Sequence, residues 1–334
     1  CVILLYEVIK MVKRHQYLEK LKKLKDMQII KVVTGFRRCG KSTLLLQFQE
    51  YLKECGVDDS QIISINFEKL EFEHLLNYKE LYSYITERLC TNKTTYIFLD
   101  EIQLVNGYQK AVDSLFVRDN VDIYITGSNA QMLSGELATL LSGRFIEIEM
   151  LPLSFSEFYE LVGGDRRDAW KRYFTNGGLP YTAYINDEDI LHDYLLGIYN
   201  TVLLKDVVER KKVQDVALLK SVIKFLFDNI GNIVSSKKIS DSLVSYGRKT
   251  TSVTVENYIE SLSEAYVVYE ANRYDIKGKQ HLKSLEKYYV VDVGLRKLLL
   301  GSKNTDIGHI LENIVYLELI RRGFAVSILS LIHI

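Results

Sequence analysis

Short apolar runs alternate with longer amphipathic stretches through the first half of the sequence. The apolar runs, rich in β-branched and aromatic residues, are IIKVVTG, IISINF, TTYIFLD, VDIYITG and RFIEIEM. The stretches between them with helical periodicity include KSTLLLQFQEYLKE, YKELYSYITERLC and YQKAVDSLF. Near-continuous apolar strands that alternate with helices are typical of a parallel sheet covered on both faces. The pattern therefore predicts an α/β fold with about five strands over residues 29–155.

The strand pattern fades after residue 155. Residues 156–214 have mostly helical periodicity, broken at TNGGLPY by two glycines and a proline, and we interpret them as a helical lid or linker. Residues 215–285 contain three helical stretches, with Thr254 as a candidate cap of the third, and then YVVYEANRYD, which alternates like a hairpin strand. Three helices followed by a β wing predict a winged-helix domain.

The two ends of the sequence differ from the rest. Residues 1–28 are expected to form a basic amphipathic helix that starts near Met11, with residues 1–10 not native. The string LSLIHI is typical of a translated sequencing adapter, so residues 327–334 are also expected to be a non-native tail.

Composition limits the function classes without choosing one. The 43 basic and 43 acidic residues cancel, so any site for a polyanion must be a local patch. The four cysteines form no CxxC pair and no metal-ligand spacing with the histidines, which indicates reduced thiols and a cytoplasmic location. No apolar stretch approaches the ~20 residues of a membrane span, so no membrane partner is expected.

The segment GFRRCGKS lies between the first strand and the first helix of the predicted sheet. It has the form G-x-x-x-x-G-K-S, filled by Gly35, Gly40, Lys41 and Ser42, with Thr43 next. The glycines let backbone N–H groups turn inward at a helix N-terminus, where the partial positive charge favours an anion. We predict that these five residues bind ATP, with Lys41 on the β and γ phosphates and the Ser42 hydroxyl on Mg²⁺.

A second element of the site is YIFLDEIQ, in which an apolar strand ends in two acids. Asp100 is expected to hold Mg²⁺ through water, and Glu101 to take a proton from an attacking water. A solvated turn is the alternative interpretation of the acid pair. A Glu after the Asp favours hydrolysis, since a metabolite kinase would need an acceptor pocket that the sequence does not reveal.

Polar residues follow the next strand, and an arginine precedes the last one. In ITGSNA, Thr126, Ser128 and Asn129 are expected to face the γ phosphate, with Ser128 as a predicted nucleotide contact. A capped turn is the alternative for Ser128 or Asn129. In LSGRF, Arg144 is expected to supply positive charge to the transition state, with an ordinary surface arginine as the alternative.

Three variable positions of the phosphate loop carry reactive or charged side chains. Arg37 and Arg38 are interpreted either as supports for the nucleotide or a partner's interface, or as solvated loop charges. Cys39, near a helix start, is either a readily oxidised thiol of lowered pKa or a permissive position.

The motifs VVTGFRRCGKSTLL, YIFLDEIQ, YITGSNA, LSGRFIEIEMLPLSFSEF and GGLPY, in this order, resemble those of a large prokaryotic family of AAA-like P-loop ATPases. The resemblance covers about residues 12–326. It implies an ATPase core, a helical lid, a winged-helix module and, in many members, a terminal domain of the restriction-endonuclease kind, whose start we assign to residues 286–326. The residues that match the family's motif positions are Lys41, Ser42, Asp100, Glu101 and Arg144.

The resemblance places the start of the nuclease-like part at two segments: KYYVVDVGLRKLL, which contains Asp292, and LENIVYLELIRRG, in which Glu312 is the first acid of the family's site or an ordinary helix acid. Such a site needs several acids and a lysine around Mg²⁺. We therefore expect no nuclease activity from this chain, and we expect its last helix to expose an apolar stripe of Ile314, Leu317 and Phe324.

Two functions fit these motifs. The first is an ATPase that acts as a switch or remodeller on double-stranded DNA, with Arg248 and Lys249 in SYGRKTTS as readers of phosphate or bases. A solvated loop is the alternative interpretation of that segment. The second is a signalling-type ATPase whose winged helix binds protein partners. Both require ATP and Mg²⁺, and a second copy of the chain is a further candidate partner.

Overall fold

A computed structural model of the protein describes residues 12–130, 141, 143–274, 286–301 and 306–329. The predicted non-native segment 1–10 and the end of the predicted tail lie outside this part of the chain. No helix in the described ranges combines the length and apolar character that crossing a membrane requires.

The chain divides into two compact units. The first unit contains residues 12–35 and Cys39–Met150, and the second contains Phe36–Arg38 and the residues from Leu151 onward. Three residues of the phosphate loop therefore group with the second unit by their contacts.

One sheet of five parallel strands forms the centre of the first unit. The strands are β1 (Ile30–Gly35), β2 (Ile62–Asn66), β3 (Thr95–Asp100), β4 (Val121–Thr126) and β5 (Phe145–Met150). Their order in the sheet is β2-β3-β4-β1-β5. Strands β1 and β3, inside the sheet, are buried throughout, whereas the edge strands β2 and β5 are partly exposed. The predicted α/β fold and its five strands are confirmed.

Helices cover both faces of this sheet. The helices described in the first unit are α1 (His15–Leu24), α2 (Lys41–Glu54), α3 (Tyr78–Thr86) and α4 (Tyr108–Phe116). Successive side chains of a strand point to opposite faces. Ile97 and Leu99 of β3 accordingly pack in one apolar cluster with Leu115 of α4, whereas Phe98 lies with its ring centroid 6.3 Å from that of Phe48 in α2.

The strand register brings several polar strand ends together. Asn66 at the end of β2 pairs with Asp100 at the end of β3, and Val33 of β1 pairs with Thr126 at the end of β4. Parallel strands all have their carboxyl ends at the same edge of the sheet. The candidate site lies at this edge.

The second unit begins with a helical region. Its helices are α5 (Phe155–Val162), α6 (Arg166–Asn176) and α7 (Glu188–Thr201), and α7 continues as a π-helical segment, Val202–Glu209. A capping box starts α5, because the Ser154 hydroxyl accepts from the backbone N–H of Glu157 at 3.2 Å and the Glu157 carboxylate accepts from the backbone N–H of Ser154 at 2.8 Å. The predicted helical character of residues 156–214 is confirmed.

A small antiparallel sheet follows in the second unit. The elements are α8 (Val216–Asp228), β6 (Ile233–Val234), α9 (Ser236–Ser245), α10 (Ser252–Glu264), β7 (Val268–Ala271), β8 (Arg273–Tyr274) and β9 (Glu286–Val290). Strand β9 lies between β6 and β7. The predicted boundary between residues 285 and 286 therefore cuts through one sheet. The predicted cap of α10 is also corrected, because Thr251 caps it by accepting from the backbone N–H of Thr254 at 3.2 Å.

Three further elements end the described part of the chain, and the second of them, a helix, packs on this sheet. They are α11 (Val293–Leu300), α12 (Ile307–Arg321) and β10 (Ile328–Leu329), which pairs with β8. In α12, the Asn313 side chain accepts from the backbone N–H of Val290 at 2.8 Å and donates to its carbonyl at 2.9 Å. Leu317 is only 8% exposed, in a cluster with Tyr289. The expected exposed stripe is therefore wrong for Leu317, although Phe324 is 60% exposed.

The remaining residue of that stripe and the predicted first acid of a nuclease site also lie on α12. Ile314 is half-buried. Glu312 accepts from Lys287 Nζ at 2.8 Å and from the Tyr289 hydroxyl at 2.7 Å. Partial burial acts to raise the pKa of Glu312, but these two donors hold it below its usual value. In this structure Glu312 links α12 to β9.

Candidate nucleotide-binding and hydrolysis site

The phosphate loop depends on two glycines with positive φ. Gly35 ends β1 with φ +135°, and a Cβ there would lie 2.1 Å from the carbonyl oxygen of Met150 on β5. Gly40 directly precedes α2 with φ +106°. Any other residue at Gly35 would collide with the neighbouring strand, so the glycine follows from the close approach of two backbones.

Lys41 is held inside the site at the first position of α2. Its side chain is buried, and its Nζ donates to the carbonyl of Gly35 at 3.1 Å and lies 3.7 Å from Oε1 of Glu101. Ser42 is exposed and Thr43 half-buried in the same first turn. A lysine among the free N–H groups of a helix N-terminus is suited to bind a polyphosphate.

Asp100 is a buried carboxylate with an extensive set of donors. Its Oδ1 accepts from the Thr126 hydroxyl at 2.6 Å, its Oδ2 accepts from the Asn66 amide at 2.7 Å, and Ser42 also hydrogen-bonds to it. Burial raises the pKa of Asp100, although the hydrogen bonds from Thr126 and Ser42 act in the opposite direction. A nearby cation would favour the ionised carboxylate.

Glu101 sits at a sharp turn directly after β3. Its φ of +56° is left-handed, which is uncommon for a residue other than glycine, and its backbone N–H donates to the Thr126 hydroxyl at 2.9 Å. Its Oε2 accepts from the side-chain amide of Gln103, and its Oε1 faces Lys41. Thr126 thus holds both acids through one hydroxyl group.

Ser128 and Asn129, the other polar residues after β4, are both buried. The Ser128 hydroxyl has no hydrogen-bond partner within the ranges that the structure describes. Buried hydroxyl groups are nearly always hydrogen-bonded, so this group is expected to find its partner outside the described residues. Of the three residues predicted to face the γ phosphate, Thr126 contacts both acids of the pair.

The structure does not bring Arg144 to the phosphate loop of the same chain. Arg144 precedes β5, and its carbonyl accepts from the backbone N–H of Ile30, at the amino ends of β5 and β1. The six-residue length of β5 places it ~20 Å from Met150, which pairs with Gly35. Its guanidinium is paired with Asp113 of α4.

The variable positions of the loop have defined partners. Arg37 belongs to the second unit, where its Nε lies 3.1 Å from Oδ2 and its Nη2 3.4 Å from Oδ1 of Asp206. It is therefore not a solvated loop charge, whereas Arg38 is exposed. Cys39 is fully buried, and burial raises the pKa of its thiol. The alternative of a reactive Cys39 with a lowered pKa is wrong.

Sequence reasoning missed three residues that support the site. Asn66 contacts Asp100, Gln103 contacts Glu101, and Arg14, at the start of α1, donates from Nη1 to the carbonyl of Cys39 at 2.9 Å. Asn66 carried a usable signal, since it ends an apolar strand as Asp100 does. Arg14 carried none, because nothing in the sequence places residue 14 beside the loop.

The donor set fits Mg²⁺ and a polyphosphate. A carboxylate and a hydroxyl, Asp100 and Ser42, are the hard oxygen ligands that Mg²⁺ prefers, and Mg²⁺ usually takes only one or two carboxylates together with phosphate and water oxygens. No group of three or more His, Cys, Asp or Glu side chains in the described ranges is arranged to hold a metal. The site thus fits a metal that enters with its nucleotide.

Comparisons with known proteins agree with this geometry. Residues 28–159 match the family model of an AAA domain (AAA_14). Residues 167–306 match the model of a domain of unknown function (DUF8612). The second match covers α6 to α11, so it joins the helical region and the three-stranded sheet in one sequence family.

Relatives and a solved structure extend the comparison to most of the chain. An uncharacterized protein of Haemophilus influenzae is 42% identical over 324 residues, which cover 95% of this chain and 81% of the relative. An uncharacterized protein of Methanocaldococcus jannaschii is 35% identical over 312 residues, or 88% of this chain and 67% of the relative. The Walker-type ATPase of Pyrococcus abyssi has a TM-score of 0.59 at 14% identity, with 86% of this chain and 96% of that one covered, which shows a shared fold. The chain therefore belongs to the family of AAA-domain proteins that includes these two relatives, and it has the α/β fold of P-loop ATPases.

Proposed function

We propose that the protein binds ATP together with Mg²⁺ and hydrolyses it to ADP and phosphate. The proposal rests on the position of Lys41 beside Glu101, with Nζ of Lys41 3.7 Å from Oε1 of Glu101. Both lie next to Asp100 at the carboxyl edge of the sheet. A buried lysine at a helix N-terminus and two acids held by one threonine have the parts that phosphate binding and water activation need.

Each residue has a defined task in this reaction. Lys41 and the N–H groups at the start of α2 bind the β and γ phosphates, and Ser42 and Asp100 hold the metal ion. Mg²⁺, when bound, neutralises negative charge on the phosphate oxygens. Glu101 accepts the proton of the attacking water, and the Ser128 hydroxyl, which has no hydrogen-bond partner among the described residues, donates to an oxygen of the γ phosphate.

Two substitutions test the assignment. Lys41→Ala should abolish ATP binding, because the loop loses its phosphate charge. Glu101→Gln should keep ATP binding and lose hydrolysis, because an amide cannot accept the proton. Fluorescent-nucleotide titration and phosphate release measure the two properties separately. Wild-type turnover by Glu101→Gln would show that Glu101 is not the base.

We further propose that residues 216–290 form a winged-helix module that binds double-stranded DNA. The order α8, β6, α9, α10, β7, β9, with β9 in the middle of an antiparallel sheet, supports the module. Arg248 and Lys249 are exposed in the turn that leads into α10, the helix expected to read the groove. They are in a position to contact phosphates before the helix enters the groove.

The salt dependence of DNA binding tests this second proposal. Arg248→Ala with Lys249→Ala should weaken DNA binding and reduce the slope of log K against log salt by roughly 2. Lys220→Ala with Lys224→Ala removes the same charge from exposed positions of α8 and serves as the matched control. Equal slopes for both double variants would favour protein partners over DNA. Phosphate release with and without DNA then shows whether DNA alters hydrolysis.

A further inference from the structure

The amide of Gln103 has a fixed orientation beside the predicted general base. Its Nε2 donates to Oε2 of Glu101. An ionised carboxylate only accepts hydrogen bonds, so the NH₂ end of the amide is the end bonded to Glu101, and the carbonyl oxygen Oε1 remains free to accept a hydrogen bond from another donor.

The carbonyl oxygen of Gln103 is buried and has no hydrogen-bond partner among the residues that the structure describes. Buried carbonyl oxygens in folded proteins are almost always hydrogen-bonded, to protein or to water. Oε1 of Gln103 lies at the carboxyl edge of the sheet, two residues from Glu101. It therefore needs a hydrogen-bond donor that the described residues do not supply.

The backbone holds Gln103 firmly in this place. Residues Ile102–Leu104 form a 3-10 turn directly after the left-handed Glu101, and the backbone N–H of Leu104 donates to the Glu101 carbonyl at 3.1 Å. Ile102 is fully buried in the apolar cluster below the sheet. The left-handed turn is what allows side chains only two residues apart to meet. Uncommon backbone conformations of this kind occur often at catalytic sites.

We propose that Gln103 positions the attacking water for Glu101, an inference that rests on the proposed ATP hydrolysis. The water donates one hydrogen bond to Glu101 and the other to Oε1 of Gln103, so its lone pair points at the γ phosphorus. Its oxygen bonds to phosphorus as the bond to the β–γ bridging oxygen breaks, and that oxygen keeps the electron pair on ADP. The transferred proton goes to Glu101, and Gln103 stays chemically unchanged.

Both carboxylate oxygens of Glu101 have a neighbour in this structure, and Lys41 is the neighbour of Oε1. Oε1 lies 3.7 Å from Lys41 Nζ, and Oε2 accepts from Gln103. Phosphate binding by Lys41 draws its charge away from Oε1 and leaves that oxygen for the water. Gln103 keeps its bond to Oε2 throughout and so holds the carboxylate while the proton is transferred.

Gln103→Leu tests the proposal, because leucine has a similar volume and no polar atoms. We expect kcat for ATP hydrolysis to fall by about 10²-fold, within the range of one positioned proton-transfer group, with ATP affinity unchanged. Gln103→Met keeps the length of the side chain and should behave in the same way, so a folding defect of one variant does not decide the result. Gln49→Leu, on the outer part of α2, is the matched control and should keep wild-type kcat.

The double variant with Glu101→Gln separates positioning from general damage. If Gln103 acts through the same water, Gln103→Leu should hardly lower the small residual rate of Glu101→Gln, measured with enzyme in excess over ATP, since residues that act as a unit are not additive. A full additional loss would contradict the proposal. So would equal losses of ATP affinity and kcat in Gln103→Leu.

The direction of the change in kcat also distinguishes a Gln103 that positions the water from a Gln103 that only restrains Glu101. If Gln103 only held Glu101 back, its removal would raise kcat, and unchanged kcat would likewise overturn the proposal. Failure of the proposed function has a different signature: wild-type protein would release no phosphate at all, or Glu101→Gln would hydrolyse ATP normally. Wild-type hydrolysis that is lost in Glu101→Gln and intact in Gln103→Leu would reject the inference alone.

Discussion

The Asp292 carboxylate accepts a hydrogen bond from the backbone N–H of Gly178 at 2.7 Å, across 114 residues of sequence. The same carboxylate caps α11 by accepting from the backbone N–H of Gly294 at 2.9 Å. Space around it is tight, because a Cβ at Gly177 would lie 2.0 Å from Oδ1 of Asp292. One buried acid therefore fastens the GGLPY turn to the start of α11 in the second unit.

This arrangement predicts a pH dependence of stability. Burial raises the pKa of Asp292 from 3.8 to about 6, although its backbone donors act to lower it. Between these values the unfolded chain loses a proton that the folded chain keeps, so the contribution of Asp292 to the free energy of unfolding falls as the pH rises through this window. Above about pH 6 both states are ionised and the contribution is constant.

Asp292→Asn removes this titration. Wild-type stability relative to the variant should fall by on the order of 2 kcal/mol between pH 4 and pH 6, and the difference should then stay level. Urea unfolding at several pH values measures it. The lost capping bonds add an offset that does not vary with pH, so the slope is the test, and parallel profiles of the two proteins would refute the prediction.

A buried ion pair at the amino edge of the large sheet gives a second prediction. Lys31 of β1 is paired with Asp122 of β4, both almost fully buried, and Asp122 also accepts from the Tyr124 hydroxyl at 2.8 Å. Asp122→Ala leaves the Lys31 ammonium without its counter-charge, which should cost about 3–5 kcal/mol in chemical denaturation. Burial already lowers the pKa of Lys31, so the loss should shrink as the pH is raised and the lysine becomes neutral.

An exposed pair is the control for this prediction. Lys53 Nζ lies 2.6 Å from Asp59 Oδ1, but the two side chains are 52% and 83% exposed. Asp59→Ala should change stability by less than about 1 kcal/mol. If Asp122→Ala and Asp59→Ala lower the free energy of unfolding by the same small amount, the Lys31–Asp122 pair does not stabilise the fold.

The sheet and the centre of the site could be predicted because their signals are local. Strands buried on both faces are continuous apolar runs, and the phosphate loop and acid pair are short segments whose residue types have few other uses. Helix α2 begins at Lys41 and α4 at Tyr108, as the periodicity indicated. These features depend on neighbours in sequence and hardly at all on the rest of the fold.

The remaining features depend on contacts between distant segments. Nothing in the sequence around Gln103 shows that its side chain contacts Glu101, because this contact depends on the left-handed backbone of Glu101. Asp206 lies 169 residues from its partner Arg37. Strand β9 pairs with β6 and β7, which lie on the other side of the predicted boundary at residue 285, and no local pattern in the sequence indicates this pairing. Charge, periodicity and spacing carry no information about such pairings.

The contact between Arg37 and Asp206 provides a third prediction. Asp206 is nearly fully buried, and Nη2 of a second cation, Arg210, lies 3.8 Å from its Oδ1. Arg37→Ala should destabilise the protein by roughly 3 kcal/mol, because a buried carboxylate loses its main partner. Asp206→Asn in the same chain should recover part of this loss, which a double-mutant cycle in thermal unfolding measures.

The neighbouring arginine is the control for that cycle. Arg38 is exposed, so Arg38→Ala should alter stability by no more than about 0.5 kcal/mol. Strict additivity of Arg37→Ala and Asp206→Asn would show that the pair is not coupled.

The position of Arg144 leads to the last prediction. It lies ~20 Å from the phosphate loop of its own chain, so a role in the transition state requires the site of a second copy. Arg144→Ala should then lower kcat by ~10³ with ATP binding unchanged. Asp113→Ala removes the partner of Arg144 while keeping the arginine, and should retain most of the activity.

Mixing two inactive variants distinguishes action on a second copy from a structural role. Arg144→Ala keeps Glu101, and Glu101→Gln keeps Arg144, so a mixed assembly contains some sites with both groups. Phosphate release should therefore recover partly on mixing and increase with total protein concentration. No recovery, together with equal losses of ATP binding and turnover in Arg144→Ala, would identify Arg144 as a structural residue that holds α4 to β5 through Asp113.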